Sequence, residues 1–355
     1  MVLDFGLTDN SAMLARDILK RGTSNLEYVL QKVCGGNDFV YVACPDFSIS
    51  LRQRRLILGL PIGGYVRWNS DYRFFPLELD VNSCGVHVLE LGTEFDEDLF
   101  QHQLFSLKDR LDKEELVLGG AKLKWNFSRR NHFINVYRSD EGVYYMVAHS
   151  SGETTLFDWE NLHRLFDVKH IELDGHPMPY ILGDDVDQYY SIAKVENEFF
   201  FKRHSFLFDI LLGEGNYKTV YADQHFGMIN QGEILMGCSK LLPNTVFPLL
   251  TRPFEDLVVA KILSPPQSII EATNGYALVP HGLGMTVPTE VIDITPSRHG
   301  EGYVNVTFEN GSKMVTDTLE YVGIGYRAPE VVSEMSRKVG FEVIKTLKGV
   351  LFTKL

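Results

Sequence analysis

The sequence predicts an α+β fold in one large domain, residues 1–355. Three observations carry that expectation. Runs of β-branched and aromatic residues edged by turn residues recur along the chain. Helical stretches are set among them without a regular strand–helix alternation. The Pro-containing interruptions, Pro243 to Pro253 and Pro265-Pro266, are short and flanked by apolar residues, as loops inside a domain are.

The predicted strands are FVYVAC (39–44), VHVLEL (86–91), FINVY (133–137), VYYMVA (143–148), EILMG (233–237), YVNVTF (303–308) and GVLFT (349–353). RSDEG (138–142) and ENGS (309–312) have the turn chemistry of hairpins. Helices are predicted over 9–21, 95–113, 185–212 and 328–346, the third long and aromatic on one face. Its aromatics are expected in the core. No repeat or low-complexity stretch interrupts this order.

Composition narrows the class. Apolar residues make up 45%, charged residues 23% and aromatics 12%, so a disordered chain is excluded. The formal net charge is −13, which argues against a broadly basic nucleic-acid binder and leaves a local basic groove open. No apolar run approaches the roughly eighteen residues of a bilayer span. The first residues, MVLDFGLTDNSAM, lack the basic and apolar regions of a secretory signal. A soluble cytoplasmic protein is the expectation. Cys34, Cys44, Cys84 and Cys238 are scattered without a C-x-x-C, so neither a disulfide framework nor a structural zinc motif is indicated.

Candidate metal ligands recur at strand ends. Cys84 precedes VHVLEL, His132 opens FINVY, His149 closes VYYMVA, His225 lies shortly before EILMG, and His299 lies just before YVNVTF. Imidazole, thiolate and carboxylate donors on rigid strands are how transition-metal sites are built. Taken singly, each has a plain structural role as a hydrogen-bonded strand-end residue or a small hydrophobe. As a set they point to a metal site of unspecified identity.

Several segments, in collinear order from about residue 39 onward, resemble the RtcB-type RNA ligases. The family's D-I-G-C-G is matched by residues 79–85 (LDVNSCG), and its G-N-H-F-I-E by RNHFIN (130–135). Its strand ending in H-S-G-S is matched by YYMVAHSS (144–151), and the histidine before R-K-G-A by His225, followed by EILMGCSK. Its I-P-G-S-M-G turn resembles VPHGLG (279–284), and its H-G-A-G-R resembles HGEGY (299–303). Its closing A-Y-K-D, V-I-x-T-L and V-x-V-K-G resemble GYRA (325–328), VIKTL (343–347) and VLFTKL (350–355).

The resemblance implies a GTP- and manganese-dependent enzyme of tRNA splicing and RNA repair. It would join RNA 3′-phosphate or 2′,3′-cyclic phosphate ends to 5′-hydroxyl ends through a guanylylated histidine. His299 would be the nucleophile. Asp80, Cys84, His132, His149 and His225 would hold metal, two Mn²⁺ ions by resemblance, although a thiolate among imidazoles also suits Zn²⁺. Asn131, Asn135, Tyr326 and Lys354 would contact the guanine nucleotide. Arg129 and Arg130, beside His132, and Lys240 would meet RNA. An accessory activating protein is a candidate partner, no membrane is implied, and a monomer is the family-like expectation.

The chain also departs from the pattern. Ser48 stands where the family's P-D-V-H has histidine, and Asp80 lies one residue further from the cysteine than in the family. Asn135 replaces the guanine-reading glutamate, and Tyr303 replaces the arginine after the nucleophile segment. Three phosphate-binding arginine positions are altered. His281, in P-H-G-L-G, is a rival nucleophile on sequence grounds. The readings left open are a divergent ligase, a non-ligating metal-binding paralogue that binds RNA ends or a protein partner, and a metal-dependent phosphoesterase.

Overall fold

The computed structural model describes the chain except residues 37, 51–52, 78–82, 129–130, 152–161, 174–175, 253 and 298–302, and the side chains of 53, 54, 57, 162, 163 and 176. The fold is mixed α+β and mostly sheet. Eleven strands form one large curled sheet in the order Val2–Asp4, Asp38–Ser48, Ile62–Asn69, Glu233–Met236, Lys218–Asn230, Cys84–Gly92, Tyr144–Ser151, Phe133–Arg138, Phe341–Thr353, Leu257–Ile262 and Val246–Leu249. The first pair is parallel and the remaining neighbours are antiparallel. Among the described residues no helix is long and apolar enough to cross a membrane.

Side-chain alternation divides the central strands between two cores. Val86 and Val88 on one strand, with Tyr145 and Val147 on its neighbour, pack inside the curl against Leu250, Leu257, Val259 and Leu347. Leu89, Met146 and Ala148 point the other way, onto a layer that includes Phe100 and Leu104 of the helix Glu97–Asp112 and Phe199 and Leu207 of the helix Asp184–Leu212. Both faces are therefore apolar along most of the strand length.

The helix predicted over 9–21 runs from Asn10 to Lys32, capped by the Asp9 carboxylate accepting from the Ala12 amide. The predicted end falls just before Gly22. Gly22 is instead where the helix touches Gly59: a Cβ at Gly22 would stand 2.1 Å from the Gly59 carbonyl oxygen. Tertiary contact carries the helix past a weak helix former. The stretch 328–346 divides into a short turn, the helix Val332–Val339 and then the strand Phe341–Thr353. Gly340, at φ 74°, stops the helix. Its amide bonds the Ser336 carbonyl at 2.9 Å, and the valines and isoleucine beyond it enter the sheet.

Arg327 fastens the loops around one end of the sheet. Its buried guanidinium donates to the Asp9 carboxylate and to the carbonyls of Pro45, Phe47 and Leu283. The turn at 281–284 is thereby held against the end of the strand Asp38–Ser48.

Candidate metal centre

Three adjacent strands bring the donors together. Cys84 opens one strand opposite Ser151, and His149 lies in register with Val86 of that strand and Phe133 of the next. His225 arrives by a bulge. Gln224 pairs with Gly85 and Phe226 with Cys84, so His225 is the extra residue in the ladder. A bulge re-aims the side chain it carries and strengthens the local twist.

The resulting distances are short. The Cys84 Sγ lies 3.2 Å from His149 Nε2 and 3.8 Å from His132 Nε2. His149 Nε2 lies 3.1 Å from His225 Nε2. The donor atoms of Cys84, His149 and His225 all fall within 4.8 Å of one another. Donors bound at about 2.0 to 2.3 Å to a tetrahedral ion sit roughly 3.3 to 3.8 Å apart. The set fits a cation with small adjustments.

The nitrogens facing away from the centre are fixed by the backbone. His132 Nδ1 donates to the Asn126 carbonyl at 2.9 Å, and His149 Nδ1 donates to the Asn131 carbonyl at 2.9 Å. A carbonyl only accepts, so each Nδ1 carries hydrogen and each Nε2 presents a lone pair towards Cys84, the tautomer a metal requires. Burial, reinforced by the neighbouring imidazoles, pushes the His149 and His225 pKa values well below the usual histidine range. Both are therefore neutral, the form that binds metal.

A further pair stands beside this group. His281 Nδ1 donates to the Asp46 carboxylate at 2.8 Å and to the Gly237 carbonyl. The His281 ring stacks on His225, with centroids 4.5 Å apart and planes 27° from parallel. Gly237 in turn bonds the His225 carbonyl through its amide at 2.8 Å. Burial raises the Asp46 pKa against the opposing pull of His281 and Arg327. Asp46 Oδ1 and His225 Nδ1 are buried without hydrogen-bond partners.

The chain matches no protein-family model and no curated protein. The centre has to be read from its own chemistry.

Of the residues singled out from sequence, Cys84, His149 and His225 meet, and His132 reaches Cys84. Asp80, Arg129, Arg130 and His299 lie outside the described residues. Asn131 contributes its carbonyl to His149, and Lys354 reaches the rim of the centre, its ammonium donating to the His132 carbonyl at 2.8 Å. Asn135 is buried, with its amide donating to Tyr137 Oη at 3.2 Å and accepting from the Thr353 amide at 3.0 Å. Tyr326 lies on the short strand Gly325–Tyr326 opposite Met285–Thr286, its carbonyl held by the Arg252 guanidinium.

Lys240 stands apart from a basic surface. It is ion-paired with Glu233, which also accepts from Tyr65 at 2.8 Å, and only 11% of the lysine side chain is exposed. Lys122 and Lys124 are paired with Glu114. Arg55 is buried with its guanidinium 3.8 Å over the Phe226 ring.

Sequence reasoning did not find the partners that orient the donors. Asn126 is one, and its side chain accepts from the fully buried Arg203 at 2.9 Å while donating to the Ser151 carbonyl at 2.9 Å. The Asp46–His281 pair is another. The P-D of residues 45–46 and the glycine-flanked histidine at 281 were visible signals, but nothing in their spacing of 235 residues joins them.

Proposed function

We propose that the chain is a divergent, metal-dependent RNA ligase of the RtcB type. It would join RNA 3′-phosphate or 2′,3′-cyclic phosphate ends to 5′-hydroxyl ends through a guanylylated histidine. The observation that supports this most is that the donor atoms of Cys84, His149 and His225 gather within 4.8 Å of one another, with His132 Nε2 3.8 Å from the Cys84 Sγ. These are the donors the resemblance assigns to metal, and they come from segments far apart in the chain.

When bound, divalent cations would neutralise phosphate charge and orient the attacking and leaving oxygens. The protein's own part is to hold the donors neutral and aimed. His132 and His149 are locked by backbone carbonyls, and the bulge turns His225 inward. Mn²⁺ is the ion the resemblance implies, and the thiolate with imidazoles also accommodates Zn²⁺. Lys354, at the rim beside His132, is suited to a phosphate or base-edge contact. By resemblance the nucleophile is His299, whose nitrogen would attack the GTP α-phosphorus and displace pyrophosphate.

A second reading, a metal-binding paralogue that does not ligate or a metal-dependent phosphoesterase, is favoured by two observations. The Asn135 amide is committed to Tyr137 and Thr353, and the Lys240 charge is committed to Glu233. One experiment separates the readings. Purified protein is incubated with α-labelled GTP and Mn²⁺, and the acid-labile, base-stable adduct is measured in wild type, Cys84→Ala and His299→Ala. The ligase reading expects an adduct in wild type alone. Bound metal with no adduct from any nucleoside triphosphate selects the second reading, and a chain that takes up no metal removes both.

A further inference from the structure

We propose that His281 is a further ligand of the centre, its Nε2 taking a second cation beside the one that Cys84, His149 and His225 hold. This rests on the metal-centre reading above and adds a residue to it.

The tautomer of His281 is settled by its neighbours. The Gly237 carbonyl accepts from Nδ1, and so does the Asp46 carboxylate at 2.8 Å. Nδ1 therefore bears the hydrogen, and Nε2 carries a lone pair that meets no hydrogen-bond donor among the described residues. A carboxylate that fixes the remote nitrogen of an imidazole is the recurrent support of a metal-ligating histidine, and it also raises the basicity of the ligand. Asp46 is 1% exposed, and its second oxygen has no partner. That unsatisfied buried acceptor marks the place as polar and incomplete.

The geometry separates two ions. His149 and His225 converge, their Nε2 atoms 3.1 Å apart while their ring centroids are 5.1 Å apart. His281 lies on the other face of this stack, 4.5 Å from His225, and is not among the donors that gather within 4.8 Å of one another. Lying outside the group of donors that gather within 4.8 Å, the His281 lone pair serves a neighbouring point, not the same one.

The test is metal uptake by the full chain, followed by equilibrium dialysis against Zn²⁺ and, separately, Mn²⁺, with elemental analysis. His281→Phe keeps a ring on His225 and offers no lone pair, and His281→Ala repeats the test without the ring. The expected result is two steps of uptake in wild type. Both His281 variants lose the weaker step and keep the tighter one, the step that Cys84→Ala removes. Asp46→Asn weakens the same step roughly 10- to 100-fold. The retained tight step shows that the variants are folded. Two-step uptake with unchanged affinity in either His281 variant overturns the assignment, and so does a wild type that takes up one ion which both variants still hold; either result leaves the Cys84 centre standing. No uptake by wild type overturns both.

Discussion

Two pairs of buried histidines sit back to back across the central strands, and they differ in almost everything but burial. His149 lies opposite Val86 and faces the inside of the curl, where it meets His225 and Cys84. One residue away in each strand, His87 lies opposite Ala148 and faces the helices, where it packs on His204 at 4.7 Å between centroids, with Phe200 and Phe208 around it. Burial lowers the pKa of all four. The inner pair aims lone pairs at a thiol, with its outer nitrogens tied to backbone on His149. In the outer pair His204 donates to the Phe200 carbonyl at 3.0 Å and accepts from the Ser150 hydroxyl at 2.7 Å, while His87 Nδ1 is buried without a hydrogen-bond partner. A depressed pKa therefore reports an apolar surrounding, and only convergence of donors distinguishes a metal centre from packing.

The comparison can be broken by metal binding first. Cys84→Ala is expected to lower the affinity for Zn²⁺ by at least about 100-fold, while His204→Phe leaves it within a few-fold of wild type. Chelator competition measures both, and equal losses would erase the distinction drawn between the pairs.

Acid stability sharpens it from the other side. The His87 pKa is pushed down from 6.5 to about 4 by burial. Above pH 6.5 both the folded and the unfolded chain carry it neutral. As pH falls from 6.5 towards 4 the unfolded chain takes up the proton first, so the fold loses about 3 kcal/mol from this residue alone. In His87→Leu that acid-induced loss should be absent, which urea melts at neutral and acid pH would reveal as a shallower fall than in wild type. An identical pH dependence would place the sensitivity elsewhere.

Ser150→Ala carries the smallest effect. Removing the hydroxyl that donates to His204 should cost about 1 kcal/mol of stability. Metal affinity should not change, although Ser150 adjoins His149 in sequence. A metal defect as large as that of Cys84→Ala would show that the two faces are coupled.

Much of this arrangement was readable from residues, and the gaps have physical causes. The strands carrying Cys84, His132 and His149 announce themselves by alternation and turn chemistry, and the hairpin at 138–142 forms as its composition indicates, with Gly142 at φ 85°. The strand Lys218–Asn230 was not foreseen, because its exposed first half lacks a continuous apolar run. The bulge that turns His225 inward leaves no local mark, since it depends on the partner strand's register. The two helix bounds fail in opposite ways: the helix predicted to end before Gly22 runs through it, because that glycine permits close backbone approach to Gly59, and the helix predicted over 328–346 is ended by Gly340. Lys240 is expected at RNA, but its charge is taken by Glu233 seven residues earlier, and that pairing depends on how the chain passes from the strand Glu233–Met236 to the strand Cys238–Leu241 of a different sheet.

The strand Phe341–Thr353 is interior to the large sheet, third from one edge, between Phe133–Arg138 on one side and Leu257–Ile262 on the other. Residues made more than two hundred positions earlier therefore wait, during synthesis, with an open ladder edge beside the very segment that carries His132. Such long-range closure is slow and leaves an edge exposed to other chains. During synthesis His132, whose carbonyl accepts from Lys354 at 2.8 Å, is therefore fully seated only once the residues up to Lys354 have been made, and metal capture on the growing chain would follow that insertion.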